Sequence, residues 1–414
     1  MRSVEEHLGA ILAAVRPADP VRRPLADCLG LVLCEDVHSL VDLPGFDNSA
    51  MDGYAVRSAD VAGATLDAPD SAVTLPVVGE VAAGAVATVP VGPGEAVRIM
   101  TGAMLPDGAD AVVKVEDTDG GTEHVQIRAG VPVGTSRRVA GEDVRTGDTV
   151  LAAGSVIDSR RVALLAATGH GDALVRPRPR VAVVSTGAEL VPPGDPLQPG
   201  QIYDSNSHMV AAAVAECGAV TTHRLSIGDV GSEVLQMVED LAGEVDAIIT
   251  TGGVSMGAYD VVKEALLDSG TVDFVQVAMQ PGKPQGFGTV GERSVPLFAL
   301  PGNPVSSYVS FEMFVRPALR LLMGLSPVSR RAVTARLERD LRSPSGRTQI
   351  ARAVATRDGS GWLVDPVWGQ ASHFVADLSR ANALVIVPPE VTALAAGDQV
   401  AVWLLARDEG TMTS

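Results

Sequence analysis

Aromatic residues are scarce: Trp, Tyr and Phe together make up 3% of the chain, so Val, Ala, Leu and Ile must fill its cores and little is left for stacking nucleobases. Positive charge is also short. Against 50 acidic side chains stand 32 basic ones, a formal net charge of -18 whose field repels polyanions and argues against non-specific nucleic-acid binding. Cysteine occurs only at Cys28, Cys34 and Cys217, without the paired spacing of a zinc site or a secreted disulfide framework, which fits a reducing compartment. No run approaches the ~20 apolar residues needed to cross a bilayer, and Glu5 and Glu6 stand where a signal peptide would begin its apolar core. The expectation is a cytoplasmic protein with neither a membrane nor a nucleic-acid partner.

What the chain does have is length and apolar bulk. At ~150 residues per domain, 414 residues imply two to four domains, and 46% apolar content is ample for several cores. Ser3 and Glu6 form a capping-box pattern around Val4, Leu8, Ile11, Leu12 and Val15, whose helical period predicts an amphipathic lead helix ending near Pro17. From about 25 to 150, short Val-rich runs broken by Gly and Pro predict β-rich structure. Two prolines within 176–180 mark an extended linker and a boundary near 177. Beyond it, apolar strands at 181–184, 220–225, 247–251 and 272–277 alternate with helices at 207–217, 231–241 and 260–269. A hairpin through Gly291 and a helix at 304–323 complete an α/β sheet with crossover helices. From Ser326, β-like runs at 384–387 and 399–404 predict a small C-terminal β-domain.

Loops that follow parallel strands emerge at one carboxyl edge, where such sheets bind ligands. The unusual sequences fall there: Ser185-Thr186-Gly187-Ala188-Glu189, Ile227-Gly228-Asp229, Gly252-Gly253-Val254-Ser255-Met256-Gly257 leading to Asp260, Pro281-Gly282-Lys283-Pro284, and Leu300-Pro301-Gly302-Asn303-Pro304. The glycine segment ahead of a helix suits a phosphate, or is only a tight turn. Glu189, Asp229 and Asp260 are hard oxygen donors suited to Mg²⁺, and helix capping explains Asp229 and Asp260 as well. Lys283, held between Gly282 and Pro284, presents one ammonium to an oxyanion or is a solvated surface charge. In the β-rich part Asp52 beside Gly53 reads as a turn former, and Thr101 and Asp143 as polar loop tips.

Taken together, these stretches resemble the molybdopterin molybdenumtransferase family, the MoeA-type enzymes and the matching C-terminal domain of gephyrin, over essentially the whole chain. The most specific marks run from Pro44 to Tyr54 (PGFDNSAMDGY), from Met100 to Ala103 (MTGA), from Gly252 to Gly257 (GGVSMG) and from Leu300 to Ser306 (LPGNPVS). The resemblance implies an α/β and β multidomain, elongated subunit. Its parts would be a lead helix (1–24) packing on the α/β domain, a split β-domain (25–45 plus 144–177), a β-rich domain (46–143), a molybdopterin-binding α/β domain (178–326) with a mostly parallel sheet flanked by helices, and a C-terminal β-barrel (327–414).

The activity implied is insertion of molybdate into adenylylated molybdopterin, a dithiolene pterin, with Mg²⁺-dependent release of AMP, by a homodimer. Matching motif to motif, the functional carboxylates fall on Asp52, Asp143, Glu189, Asp229 and Asp260, with Thr101, Lys283, Pro301 and Pro304 lining the same cleft. Ser185, Thr186, Gly252, Gly253, Ser255, Gly257, Asn303 and Ser306 would contact substrate, as would Arg347, Ser372 and Arg380 by a looser match. The family places this cleft at the subunit interface, so Asp52 would face the partner's α/β rim. Gln280 stands where the family often has a lysine, which removes a positive charge beside the presumed anion site. Partners implied are molybdopterin adenylyltransferase and molybdoenzyme assembly factors. Two other readings stay open: that adenylyltransferase activity itself, which needs only the central domain, and a gephyrin-like scaffold without chemistry.

Overall fold

The computed structural model describes residues 1–227, 231–254, 261–268, 270–359, 361–367 and 369–405. The chain divides into two compact units, one formed by residues 1–21, 30–32 and 175 onward, the other by 22–29 and 33–174.

The first unit opens with α1 (Val4–Ala14). Ser3 Oγ accepts from the Glu6 N–H at 3.0 Å while the Ser3 N–H donates to Glu6 Oε2 at 2.7 Å, so the capping box read from the sequence closes in both directions. Elements then alternate: β1 (Arg180–Thr186), α2 (Asn206–Cys217), β2 (Val220–Ile227), α3 (Gly231–Glu244), β3 (Ala247–Thr251), α4 (Val261–Asp268), β4 (Val272–Gln276), β5 (Met279–Gln280), β6 (Pro284–Val290) and β7 (Val295–Leu300). A continuous helical run follows as α5 (Pro304–Ser310), a π-helical stretch (Phe311–Val315) and α6 (Arg316–Leu322).

Six of these strands form one sheet in the order β2-β1-β3-β7-β6-β4. The neighbours β2, β1, β3 and β7 run parallel, while β6 is antiparallel to both β7 and β4. Both faces are covered, and the two-residue period of a strand sorts its side chains between them. Val181, Val183, Ile249, Phe298 and Leu300 pack with α1, α2 and the 304–322 helix. Ala182, Val184, Ile248, Leu297 and Ala299 pack with α3 and α4. Strands buried on both sides therefore read as continuous apolar runs, and their ends must emerge where the helices leave the sheet edge open.

The C-terminal part adds β8 (Ala332–Leu337), β9 (Thr348–Asp358), β10 (Gly361–Pro366), α7 (Val375–Arg380), β11 (Ala383–Val387) and β12 (Gln399–Leu404). Pairings β9–β10, β10–β8, β8–β12, β12–β11 and β11–β9 return to their start, closing a five-stranded barrel, and β5 lies along β9 as an extra strand. A ring of so few strands has a narrow interior, filled here by Ala335, Ala351, Ala353, Val364, Val385 and Val402. Small aliphatic residues thus suit the barrel, in keeping with the shortage of aromatics.

In the second unit, strands Ala111–Lys114, Gly53–Val56, Ala96–Ile99, Val73–Val81 and His124–Ile127 form a five-stranded sheet in that order. Gly53 is required there: a Cβ would lie 2.0 Å from the Val113 carbonyl oxygen. Tyr54 is fully buried and its hydroxyl donates to Gly121 O at 2.9 Å. The chain is a multidomain α/β and β protein, and no helix among the described residues is long and apolar enough to cross a membrane.

Candidate active site

The ends of β1, β3 and β7 meet around one cavity of about 710 Å³ at the carboxyl edge of the first unit's sheet. Thr186 and Glu189 line it from the loop after β1, Thr251, Gly252 and Gly253 from the end of β3, and Pro301, Gly302, Asn303, Pro304 and Ser306 from the loop after β7. The crossover topology that makes four strands parallel is what puts these loops on one rim.

Glycine is demanded twice at position 252. Its φ is +95°, and a Cβ would fall 2.6 Å from Thr186 O and 2.8 Å from Thr186 Oγ1. Across the same spot, a Cβ on Gly302 would lie 3.5 Å from the Gly252 Cα. The Gly252 N–H donates to Leu300 O at 3.1 Å, so it is engaged within the sheet end. The next residue, Gly253, also has a positive φ, +68°. Ser255, Gly257, Asp229 and Asp260 lie outside the described residues.

The opposite wall comes from a segment that strand and helix periodicity passes over. Ile202, Tyr203, Asp204, Ser205 and Asn206 lead into α2 and line the cavity. Asp204 is 7% exposed; its Oδ2 accepts from Ser185 Oγ and Ser207 Oγ, both at 2.6 Å, and its Oδ1 accepts from the Ser207 N–H at 3.0 Å. Burial alone would raise this carboxyl's pKa; the two hydroxyls and the N–H outweigh it, and the net shift is downward. Ser185, expected at the site, thus sits beneath the wall and ties the end of β1 to the start of α2. Asn206 Nδ2 donates to Gly302 O at 2.7 Å, which fixes the amide and leaves Oδ1 buried without a partner among the described residues. Thr251 Oγ1 is in the same condition at 2% residue exposure.

A third wall arrives from the C-terminal part. Asn303 Nδ2 donates to Ser372 Oγ at 3.0 Å, the Val305 N–H donates to Ser372 O at 3.0 Å, and His373 lines the cavity. The loop carrying Ser372 is pinned from behind by Arg352, only 1% exposed, whose guanidinium donates to Phe374 O at 2.9 Å, Ala371 O at 3.1 Å and Gly369 O. Burial lowers the pKa of this guanidinium. Arg347 lies outside the cavity lining, and Arg380 pairs with Asp377 at 3.6 Å. An arginine inside the buried β9 run Thr348–Asp358 was the available signal for Arg352.

Lys283 lines a neighbouring cavity rather than this one, and Gln280 belongs to β5, paired with Gln349 of the barrel. In the second unit, the Thr101 N–H and Oγ1 donate to Asp52 Oδ1 at 2.6 and 2.7 Å, holding that exposed carboxyl below its ordinary pKa. Asp143 is exposed there, its N–H bonded to Leu43 O.

The exposed Glu189 carboxylate lies over Gly187, where a Cβ would come within 2.6 Å of Glu189 Oε2. Among the described residues no group of three His, Cys, Asp or Glu side chains gathers to hold a metal.

The comparisons with known proteins cover the same ground. Residues 2–169 match the MoeA N-terminal region (domain I and II), 182–321 a probable molybdopterin binding domain, and 334–405 the MoeA C-terminal region (domain IV). The chain is 46% identical to molybdopterin molybdenumtransferase 2 of Mycobacterium tuberculosis, covering 97% of this chain and 99% of the relative. It is 36% identical to molybdopterin molybdenumtransferase of Bacillus subtilis, covering 94% and 90%. Among solved structures, the molybdopterin biosynthesis MoeA protein of Pyrococcus horikosii superposes with a TM-score of 0.81 at 31% identity, covering 98% of this chain and 99% of that one.

Proposed function

The chain belongs to the MoeA-type molybdopterin molybdenumtransferase family, an enzyme family of molybdenum cofactor biosynthesis, and on that premise we propose that its 710 Å³ cavity takes adenylylated molybdopterin for molybdate insertion and AMP release. The observation that carries this reading is the convergence of the β1, β3 and β7 ends on one hollow, with Gly252 where the end of β3 comes closest to Thr186.

Asn206 Oδ1 and Thr251 Oγ1 offer hydrogen-bond partners to the N–H and carbonyl edge of a pterin. Gly253 and Val254, which line the cavity, would offer backbone N–H groups to phosphate oxygens. His373 adds a wall from the C-terminal part, where Ser372 holds Asn303 in place. Cleavage of the phosphoanhydride then draws on positioning and charge stabilisation, with no protein nucleophile required. Mg²⁺ would be held by Glu189 with Asp229 and Asp260, and when bound would offset phosphate charge. Asp52, Thr101, Asp143 and Lys283 serve the same reaction in this reading. The homodimer, the five-segment division of the chain and a cytoplasmic setting belong to it too; Cys28 and Cys217, both buried thiols, are in keeping with the last.

The test is to incubate the purified protein with adenylylated molybdopterin, Mg²⁺ and molybdate. AMP release that requires molybdate, and that falls at least about tenfold in Glu189→Gln, supports the reading. In a parallel incubation with molybdopterin, ATP and Mg²⁺, AMP transfer from ATP to the pterin with pyrophosphate release, together with no molybdate-dependent AMP release in the first, overturns it in favour of an adenylyltransferase.

A further inference from the structure

Polyanionic substrates need cations, and the lining of the main cavity contains neither Lys nor Arg among its described residues; its charged groups are Glu189 and Asp204. The missing positive charge lies next door. A second cavity of about 220 Å³ opens at the same sheet edge and shares Val254 and Pro284 with the first. Lys263 of α4 and Lys283, just before β6, both line it, and no carboxylate appears among the described residues of its wall.

The placement of the two lysines follows from the topology. Gln276, the last residue of β4, pairs with Pro284, and the Val277 N–H donates to Lys283 O at 2.8 Å, so Lys283 is fixed where the β4–β6 connection turns. Lys263 stands two residues inside α4, which begins beyond β3. Both lysines are half-buried, and neither forms an ion pair among the described residues. The wall's buried amide is engaged elsewhere: Gln285 Nε2 donates to Gly282 O and Ser310 Oγ, both at 2.6 Å. Two ammonium groups facing one hollow repel each other, and an anion between them converts that repulsion into two charge-assisted contacts. The exposed Gln280 lies in β5 and lines neither cavity, so a charge at that position is not what this chain uses here.

We propose that Lys263 and Lys283 form an oxyanion subsite that holds a tetrahedral dianion beside the main cavity, separating it from the acidic rim around Glu189. The proposal rests on the functional reading above for the main cavity's guest; the subsite itself has the chemistry of any tetrahedral dianion. That dianion is either free molybdate or the phosphate of a nucleotide tail, and Lys263 is the residue specific to the subsite.

The experiment uses the full-length protein, its Lys263→Met and Lys263→Arg variants, and two probes measured separately by equilibrium dialysis: molybdate alone and AMP alone. Loss of about tenfold or more in molybdate affinity in Lys263→Met, with AMP unchanged and Lys263→Arg within threefold of wild type, supports a molybdate subsite. The same loss confined to AMP supports the subsite with phosphate as its occupant. Equal binding of both probes by wild type and Lys263→Met, with unaltered circular dichroism, overturns the proposal, as does wild-type protein that binds neither. Wild type that binds molybdate through Lys263 yet releases no AMP refutes the functional reading while leaving the subsite standing.

Discussion

Ser185 Oγ and the buried carboxylate of Asp204 are joined by a 2.6 Å hydrogen bond across 19 residues of sequence. Through it the end of β1 is tied to the entry to α2, which lines the cavity. Replacing Asp204 by Ala removes the acceptor for two hydroxyls and one N–H. The expected cost is about 2–3 kcal/mol, read as a lower denaturant midpoint with an unchanged slope. Because the folded carboxyl is held below its unfolded pKa, of about 3.9, its contribution is in place above that pH and is lost as acid protonates it. A stability profile below about pH 4 should therefore be flatter in Asp204→Ala than in wild type.

Gly252→Ala should reduce activity by more than about tenfold and cost roughly 1–3 kcal/mol, since it combines positive φ with a 2.6 Å approach to Thr186 O. The matched control is Gly243→Ala on α3, where nothing lies within 4 Å of the added Cβ; it should be neutral or gain about 0.5–1 kcal/mol. Equal effects of the two substitutions, in thermal melts and AMP-release assays, would contradict the close approach.

His7 supplies a second pH signature at a different range. It is 2% exposed, sits edge-on to Phe314 with centroids 4.7 Å apart, and has Nδ1 buried without a partner among the described residues. Burial, then the charge of Arg2, lowers its pKa from 6.5 to about 4. The unfolded chain therefore binds the proton more readily, and stability should fall as pH drops from about 6.5 to about 4 and lose nothing more from this group below that. The loss is on the order of 3 kcal/mol. In His7→Leu that slope should disappear from a urea-unfolding series.

Arg352→Met and Arg352→Lys both deprive the 369–374 loop of a planar donor fork that reaches three carbonyls. Destabilisation of roughly 3 kcal/mol is expected for Met. Amide exchange at Ser372 and His373 should quicken in both variants, and KM for the adenylylated pterin should rise more than kcat falls. Unchanged exchange would remove Arg352 from any positioning role.

Much of this architecture was legible in the residues, for a physical reason: strands buried on both faces leave apolar runs that pattern alone identifies. The run at 247–251 became β3 with the same ends, and the helix expected from Ser207 begins at Asn206. The helix expected over 304–323 is three segments, because the π-helical stretch places Glu312 inside the core against Arg330 at 2.7 Å, a distortion with no periodic signature. In the site, glycine and proline loops announced themselves, whereas Asp204 and Asn206 did not, since a polar stretch before a helix looks like any connection. The usable clue was an acid three residues ahead of Ser207, placed to accept its N–H. Lys263 was hidden for the opposite reason: a lysine on an amphipathic helix reads as solvated surface until the fold shows which hollow it borders.

The short β5, Met279–Gln280, hydrogen-bonds along β9 at Thr348 and Gln349, and four residues later the chain begins β6 of the large sheet. Lys283 lies on that brief span, so it is suspended between the closed barrel and the open six-stranded sheet as a rung between two rails. Shortening or lengthening the span by a single residue would break register at one end or the other. Natural variation in its length should therefore be far rarer than in the exposed hairpin turn at 291–294, which joins two strands of the same sheet.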